Sequence, residues 1–268
     1  MSDSFSAQWL SLREPYDIAA RNDAVLSAVV DAFADRSSIA VVDLGCGTGA
    51  TLRAISARLT SRQHWRLVDN DLGLLARAAG AGTPPKINVL TRPVDLVRDL
   101  ELALEAPLDL VTTSALLDLV SSEWLDRLII ETAARRLPVY AALTFDGRVT
   151  MEPSEGLDHE LIAAFKAHQR SDKGFGPALG PAAGERLAGR FAHFGHTVVE
   201  GRSDWMLGPK DASLQDAVFC AWAALNTVRL RSDATANWLA LRRTHLAEGR
   251  SRLQIGHADM FARPREAR

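Results

Sequence analysis

Short apolar runs alternate along this chain with longer stretches in which apolar residues recur at helical spacing. The clearest run, residues 39–44, reads IAVVDL and is followed directly by glycines. Similar runs occupy residues 65–68, 87–90, 108–112 and 139–145. Short apolar strands that alternate with amphipathic helices are typical of βαβ units. The pattern therefore predicts an α/β fold in which helices cover both faces of a doubly wound, mostly parallel sheet.

The regular alternation ends after residue 145. Residues 146–181 are charged and rich in glycine and proline around one short predicted helix, at 157–169. The elements predicted beyond them are a helix at 182–194, extended segments at 196–200 and 205–207, helices near 213–229 and 235–248, and a last strand at 252–261. A sheet with two late insertions is the simplest account of this order.

A single domain accommodates the 268 residues. In the N-terminal part, Pro15 is expected to separate a short helix from a longer one. The predicted parts are an N-terminal helical cap (1–36), a ligand-binding core (37–145), a lid insertion (146–181) and C-terminal strands (182–268) that enclose a helical insertion (208–251).

Composition excludes several classes of protein. With 47% hydrophobic and 24% charged residues, the chain is neither fibrous nor of low complexity. The net charge of −2 lacks the basic footprint of a general nucleic-acid binder. The longest strongly apolar stretch, 217–225, is far shorter than the ~20 residues that span a bilayer. A soluble protein that binds neither nucleic acid nor membrane is expected.

Cysteine and histidine usage adds an expected compartment and excludes a metal site. Two cysteines are too few for a disulfide framework or a cysteine zinc cage, and they fit a reducing compartment. The N-terminus has no basic segment followed by an apolar core, so no signal peptide is predicted. The histidines show no metal-ligand spacing with carboxylates. We expect a cytoplasmic protein without a metal.

The strongest local signal is the glycine loop VVDLGCGTGA at residues 41–50. Three glycines at a spacing of two allow the backbone to turn tightly and to approach a ligand. In an open α/β sheet such a ligand binds outside the carboxyl ends of the strands. The loop also fits the loose form of the dinucleotide fingerprint. However, Asp43 would repel a pyrophosphate and attract an ammonium or sulfonium group.

A second acidic residue completes the pattern. Asp69 follows the second apolar run. Its carboxylate can accept hydrogen bonds from both hydroxyls of a ribose. The alternative is a purely structural role, in which Asp69 caps the next helix. DLGCGTG together with this acid resembles the class I S-adenosylmethionine-dependent methyltransferases. VDL at 94–96 and DLVTTS at 109–114 are similar to two further family motifs. The resemblance covers residues 39–145 well and the last strands loosely.

What the resemblance implies is a Rossmann-like sheet whose final strand is reversed, with S-adenosylmethionine as cofactor. The residues implied around its methionine portion and sulfonium are Asp43, Gly45, Cys46, Gly47, Gly49, Thr113 and Ser114. Those implied around its ribose and adenine are Asp69, Asn70, Asp95 and Leu96. The helical segment 208–251 departs from the family, because many relatives have a hairpin there.

Candidate groups for the chemistry lie in three places. Asp118 stands in the apolar sequence SALLDLV past the fourth strand and is a candidate base, although relatives often carry a histidine there. A helix-terminal acid or a salt-bridge partner is the plainer reading. His168 is a second candidate base, and Arg170 and Lys173 are candidates to hold an anionic group of the acceptor. These three also fit a solvated loop. On the N-terminal helix, Tyr16 is a candidate contact at the substrate, and helices before the first strand in relatives often fold over the donor, so that Tyr16 or Arg21 could contact its methionine end. Packing is the plainer role for both side chains.

The leading hypothesis from the sequence is therefore a methyltransferase that acts on a small-molecule acceptor. The alternative is a non-catalytic protein that binds S-adenosylmethionine or a partner, because motifs for the donor say little about an acceptor site. An RNA methyltransferase and a dinucleotide oxidoreductase are lesser alternatives, disfavoured by the near-neutral charge and by Asp43 respectively.

Overall fold

A computed structural model describes residues 6–80, 84–225 and 232–265 of the chain. Its strands are β1 (Ser38–Leu44), β2 (Arg62–Asp69), β3 (Ile87–Pro93), β4 (Leu110–Ser114), β5 (Val139–Glu152), β6 (His196–Arg202), β7 (Trp205–Leu207) and β8 (Arg252–Pro264). Its α-helices are α1 (Ala7–Ala20), α2 (Asp23–Ala32), α3 (Ala50–Ile55), α4 (Leu72–Gly80), α5 (Leu100–Ala103), α6 (Ser122–Ala134), α7 (Asp158–His168), α8 (Ala183–His193), α9 (Ala212–Ala223) and α10 (Ser232–Ala247). Within these ranges, no helix is long and apolar enough to cross a membrane.

The strands form one sheet in the order β3-β2-β1-β4-β5-β8-β6, and β7 pairs with β8. Neighbours from β3 through β5 are parallel, whereas β8 runs antiparallel to β5, β6 and β7. The strand order reverses between β1 and β4, where an open α/β sheet forms a crevice at the strands' carboxyl ends. The predicted α/β class, with a mostly parallel sheet and a reversed final strand, is confirmed.

Two predicted boundaries were wrong. α1 runs through Pro15 without a break, and the chain bends instead at Arg21, after which the Asn22 side chain caps α2 by accepting from Val25 N at 3.1 Å. β5 continues past Phe145 to Glu152, so the first residues of the segment predicted as a lid belong to the sheet.

The local sequence explains why the end of β5 was misjudged. Asp146, Gly147 and Arg148 resemble a turn, and Gly147 has a φ of +88°. The Asp146 carboxylate accepts from the backbone N–H of Arg148 at 2.9 Å. This local bond accompanies a register shift in the β5–β8 pairing between Phe145 and Val149. The strand is therefore bulged rather than ended.

The helical insertion is present where the sequence predicts it. α9 and α10 lie between β7 and β8, and the predicted helix at 213–229 extends into residues 226–231, which lie outside the described part of the chain. Both helices pack on the extended part of β5 and β8 in an aromatic-rich cluster that includes Phe145, Trp205, Phe219, Trp222 and Trp238. The insertion therefore has its own core beyond the carboxyl end of β4.

A buried carboxylate on β8 ties the N-terminal helices to the sheet. Asp259 is fully buried, and its Oδ1 accepts from the backbone N–H of Leu143 at 2.8 Å. Its Oδ2 accepts from the backbone N–H of Asn22 at 3.0 Å and from the Tyr140 hydroxyl at 3.3 Å. Leu143 has a φ of +55°, which is unusual for a branched side chain. Asp259 therefore stabilises both the bulge in β5 and the start of α2.

We expect Asp259→Ala to lower the free energy of unfolding by about 3 kcal/mol, because it leaves two buried N–H groups and a hydroxyl without an acceptor. Urea unfolding followed by circular dichroism measures the change. Asp35→Ala, at an exposed carboxylate, is the matched control and should stay within ~0.5 kcal/mol of the parent. A loss below about 1 kcal/mol for Asp259→Ala would show that the carboxylate does not carry this role.

Candidate functional site

The glycine loop follows β1 directly at the point where the strand order reverses. Gly45, Gly47 and Gly49 have φ values of +64°, +54° and +83°, in the left-handed region that other residues seldom adopt. The loop is held to β2 by the backbone N–H of Cys46, which donates to Val68 O at 2.9 Å. The Cys46 thiol is buried, which raises its pKa. The three glycines are therefore needed for the shape of the loop itself.

Asp69, at the end of β2, clamps the glycine loop. Its Oδ2 accepts from the backbone N–H of Gly47 at 2.8 Å, and its Oδ1 accepts from the N–H of Asp71 at 3.0 Å. An ionised carboxylate offers about four lone-pair sites, so capacity remains for ligand hydroxyls. The helix cap belongs to Asp71 instead, which accepts from Gly73 N and Leu74 N. Asn70 between them is exposed.

Asp43, the last acidic group on β1, is fully buried. Its Oδ1 accepts from Thr112 Oγ1 at 2.8 Å, whereas its Oδ2 makes no well-formed hydrogen bond to any described residue. Burial raises the pKa of this carboxyl to about 7, against the opposing effects of Thr112, Arg21 and Thr51. Near neutral pH this carboxyl is therefore partly protonated and partly ionised. A cationic ligand would favour the ionised form.

Arg21 brings a guanidinium to the same end of the sheet. It is buried at the end of α1, and it donates to the Tyr140 hydroxyl at 3.1 Å and to Ser114 Oγ at 2.9 Å. Its Nε makes no well-formed hydrogen bond within the described ranges. Arg21 and Asp43 lie close enough to influence each other's ionisation. One buried acid at the end of β1 and one buried guanidinium at the end of α1 thus lie near each other, and each has one polar atom without a well-formed hydrogen bond among the described residues.

Helix α1 covers the glycine loop. A Cβ at Gly47 would lie 3.1 Å from Leu10 Cδ1, so only glycine allows this approach. Glu14 of α1 accepts from Arg53 Nη2 of α3 at 2.8 Å, and Arg53 Nη1 donates to Thr48 O at 2.6 Å. Because one arginine binds both the helix and the loop, α1 and the loop are held as one unit.

The segment after β3 reaches the same edge. The backbone N–H of Val94 donates to Asp69 O at 3.0 Å, which places Asp95 beside the end of β2. Asp95 Oδ1 accepts from the N–H of Val97 at 2.9 Å and so shapes its own turn. Leu96 is buried, and its carbonyl accepts from Trp124 Nε1 at 2.7 Å. Both residues are placed where the resemblance expects adenine contacts, and those contacts stay a prediction.

The two polar residues that end β4 differ in role. The Thr113 hydroxyl is buried and donates to Leu44 O at 3.0 Å, so it braces β4 against β1. The Ser114 hydroxyl accepts from Arg21 and lies next to Ala115, whose φ of +51° turns the chain away from the sheet. Ser114 is therefore the better placed of the two to face a ligand.

Asp118 lies in a 3₁₀ turn, Leu117–Leu119, just beyond the end of β4. Its side chain is buried, and its Oδ1 makes no well-formed hydrogen bond to the described residues. Burial raises the pKa to about 6, while the carboxyl's own backbone, the Arg13 guanidinium and the N–H of Phe145 act in the opposite direction. A carboxyl with this pKa is ionised in most molecules at neutral pH and can still accept a proton.

The other predicted candidates lie further from the strand ends. His168 is exposed at the end of α7 with its Nε2 3.0 Å from Lys173 Nζ, and Arg170 is exposed nearby. Tyr16 is half-buried on α1, and its partial burial and the neighbouring Asp211 raise its pKa. The structure gives no contact between these side chains and Asp118. Their catalytic and binding roles stay predictions.

The segment that carries Lys173 packs against the residues that follow Asp118. The Phe175 and Trp124 rings lie 5.3 Å apart, edge to face. The backbone N–H of Leu179 donates to Val120 O at 2.8 Å, and Ala178 forms a bridge with Ser121. This segment therefore packs against the residues just after the turn that holds Asp118, and its role as a lid stays a prediction.

The strand order, the reversed β8 and the glycine loop at the switch point together decide the class of fold. The chain has the Rossmann-like fold that its sequence resemblance implies. The ends of β1, β2, β3 and β4 meet at one edge of the sheet, and Asp43, Asp69, Asp95 and Ser114 lie at or just after these ends. The sheet therefore gathers these four predicted residues at one edge.

No family model and no curated protein matches the sequence. Solved structures similar to this chain include the cyclopropane synthase MmaA2 from Mycobacterium tuberculosis (13% identity, 97% of this chain and 95% of that chain, TM-score 0.48). A cyclopropane-fatty-acyl-phospholipid synthase-like protein from Lactobacillus casei covers 93% of this chain and 98% of its own at 12% identity and a TM-score of 0.48. A SAM-dependent methyltransferase from Thiobacillus denitrificans in complex with S-adenosyl-L-homocysteine covers 99% and 100% at 13% identity and a TM-score of 0.45.

The sequence offered Arg21 only as an alternative to Tyr16 near the donor's methionine end, with packing as the plainer role, and it gave none of the long-range contacts of the site. Arg21 lies in an amphipathic helix, where packing is the commoner role of an arginine, and nothing in the sequence pairs it with Ser114 or Tyr140. Arg13 and His257 meet near Asp118 only because α1 and β8 are brought together by the fold. Local sequence patterns cannot reveal contacts between residues that lie this far apart in the chain.

The raised pKa of Asp43 predicts how the free energy of unfolding changes with pH. The folded protein keeps this carboxyl protonated up to about pH 7, whereas the unfolded chain releases the proton near pH 3.8. Between these values the folded state binds more protons, so the free energy of unfolding falls as pH rises. Asp43→Asn removes that contribution, and we expect a shallower fall between about pH 4 and pH 7 in urea unfolding. Asp35→Asn should keep the parent slope, and parallel curves for all three proteins would contradict the buried-acid assignment.

Proposed function

We propose that this protein is an S-adenosylmethionine-dependent methyltransferase that acts on a small-molecule acceptor. The observation that carries the proposal is a pair of buried groups, Asp43 at the end of β1 and Arg21 at the end of α1. Asp43 Oδ2 and Arg21 Nε both lack a well-formed hydrogen bond among the described residues, and both groups are more than nine-tenths buried. The methionine end of the donor carries an ammonium and a carboxylate, which an acid and an arginine bind in turn.

The surroundings of this pair support the same ligand. Leu10 of α1 lies close to Gly47, so α1 stands beside the loop to which we assign the methionine chain. Asp69 retains acceptor capacity for ribose hydroxyls. A pyrophosphate would meet the Asp43 carboxylate at the same place and would be repelled, which disfavours a dinucleotide. When bound, S-adenosylmethionine supplies an electrophilic methyl group on a sulfonium.

Asp118 favours catalysis over mere binding. Its buried carboxyl has a pKa of about 6 and an oxygen without a well-formed bond, beyond the end of β4. A general base with a pKa near the working pH accelerates proton transfer by ~10²–10⁴-fold. We assign Asp118 to take the proton from a hydroxyl or amine nucleophile. A protein that only bound the donor would have no use for a buried acid of this kind.

Isothermal titration calorimetry with S-adenosylhomocysteine tests the proposal directly. We expect saturable binding at one site, because the product shares the adenosine and amino-acid parts of the donor. Asp69→Ala should weaken binding by more than about tenfold, equivalent to ~1.4 kcal/mol, since it removes the ribose acceptor. Asp35→Ala is the matched control and should bind as the parent does. Folded protein that gives no heat of binding would rule out the proposal.

A second titration tests the binding of the amino-acid part of the ligand separately from that of its adenosine part. 5′-Methylthioadenosine lacks the amino-acid part that we assign to Asp43 and Arg21. We expect Asp43→Asn to weaken S-adenosylhomocysteine by about tenfold or more, since the ammonium loses an ionic partner. The affinity for 5′-methylthioadenosine should change by less than about threefold. Equal losses for both ligands would place Asp43 away from the ammonium.

A further inference from the structure

We infer that Arg13 of α1 is a positioning residue, which presents its positive charge to the buried carboxylate of Asp118 and keeps that carboxylate able to accept a proton. Asp17 and the Trp205 ring hold Arg13 in place. This inference rests on the proposed function, in which Asp118 is the base. It adds a residue that acts through Asp118 rather than on the acceptor.

Asp17, one helical turn further along α1, binds Arg13 with both carboxylate oxygens. Arg13 Nε donates to Asp17 Oδ2 at 2.8 Å, and Arg13 Nη2 donates to Asp17 Oδ1 at 3.2 Å. A two-point contact of this kind fixes the plane of the guanidinium as well as its position. Arg13 Nη1 makes no hydrogen bond to a described residue, so part of the guanidinium is left to face another group.

Trp205 of β7 holds the same ion pair. Its Nε1 donates to Asp17 Oδ1 at 3.0 Å, so one carboxylate oxygen accepts from both the arginine and the indole. The guanidinium carbon of Arg13 lies 4.9 Å from the centroid of the Trp205 ring, within the range of a cation–π contact. The side chains of Arg13 and Asp17 are only 12% and 10% exposed. Arg13 is therefore fixed between a carboxylate and an aromatic ring, where little water reaches it.

A row of rings leads from Arg13 to the end of β5. The Trp205 ring lies 5.3 Å from the His257 ring, which in turn lies 6.3 Å from the Phe145 ring. Phe145 and His257 pair in register between β5 and β8. The backbone N–H of Phe145 lies close enough to the Asp118 carboxyl to favour its ionised form. Arg13 and Asp118 therefore belong to one contiguous cluster.

The positive end of the Arg13–Asp17 pair is the end that faces Asp118. The Arg13 guanidinium favours the ionised form of Asp118 and lowers the pKa of His257, whereas Asp17 is not among the groups that act on either. Because the effect of a charge falls with distance, Arg13 lies nearer to both groups than Asp17 does. The pair therefore acts on Asp118 as a positive charge rather than as a neutral unit.

The other ionisable groups around this cluster do not replace Arg13. His257 is buried, which lowers its pKa to about 3, so its imidazole is uncharged at neutral pH. Arg148 and Asp204, which also act on His257, pair with each other at 2.8 Å. Among the described residues, Arg13 is thus the cation that acts on the Asp118 carboxyl.

An effect on Asp118 explains why this ion pair is buried. Burial removes solvation from both charges, which an exposed pair on the same helix would keep. Burial also disfavours the ionised form of Asp118, and a nearby positive charge opposes that effect. A general base can accept a proton only while it is ionised. The charge of Arg13 therefore keeps a buried carboxyl usable as a base.

The test measures the ionisation of Asp118 by ¹³C NMR in the full chain with carboxyl-labelled aspartate, and Asp118→Asn identifies the signal by its loss. Arg13→Met keeps an unbranched apolar stem and removes the charge. We expect it to raise the pKa of Asp118 by at least about half a pH unit. Arg13→Lys, which keeps the charge, should restore most of the parent value. Arg77→Met, at an exposed position on α4, is the matched control and should leave the titration unchanged.

A measurement on the parent protein keeps the test decisive if Arg13→Met does not fold. The ¹⁵N signals of the Arg13 guanidinium should shift over the pH range in which Asp118 titrates, and Asp118→Asn should abolish that shift. Arg13 signals that do not follow Asp118 would overturn the inference. So would an unchanged Asp118 titration in Arg13→Met, or a pKa that lysine raises as far as methionine does.

Calorimetry with S-adenosylhomocysteine on the same parent sample separates this inference from the proposed function. If the nucleotide binds and Asp118 does not respond to Arg13, only this inference fails. Folded protein that does not bind the nucleotide overturns the proposed function.

Discussion

The buried guanidinium of Arg21 is the contact on which the arrangement of the site depends. It joins the end of α1 to Ser114 at the end of β4 and to Tyr140 on β5, and Tyr140 in turn donates to Asp259 on β8. A buried charge of this kind is stable only while its partners surround it. The position of α1 is therefore linked to the end of the sheet, and α1 is the element that covers the glycine loop.

Two buried carboxyls at the candidate site lower the stability of the fold. Asp43 and Asp118 are both buried carboxyls with raised pKa values, and each keeps one oxygen without a well-formed bond among the described residues. An apolar residue at either position would avoid the cost of burying a polar group. By contrast, Asp259 has all its partners and adds stability. Asp259 therefore holds the fold, whereas Asp43 and Asp118 are the acids to which we assign a ligand under the proposed function.

The glycine loop and the strands around it could be predicted from the sequence, whereas the contacts in the C-terminal half of the fold could not. The glycine loop and Asp69 could be placed because strand, loop and helix are contiguous there, so local patterns determine the geometry. Asp118 could be chosen because its apolar neighbours predict burial. The end of β5 was missed because a local turn at Gly147 hides a continuing strand. His257 was missed because its pairing with Phe145 depends on a register between strands that lie more than a hundred residues apart.

The helical insertion gains a role from the same long-range pairing. α9 and α10 have no place in the donor site, yet they supply Phe219, Trp222 and Trp238 to the core that supports the extension of β5 and β8. That extension carries both Phe145 and His257, so the insertion fixes them relative to Asp118 on the opposite side of Phe145. A short hairpin between the last strands would give the extension no apolar face to pack on. The helical insertion therefore supports the part of the sheet that lies next to Asp118.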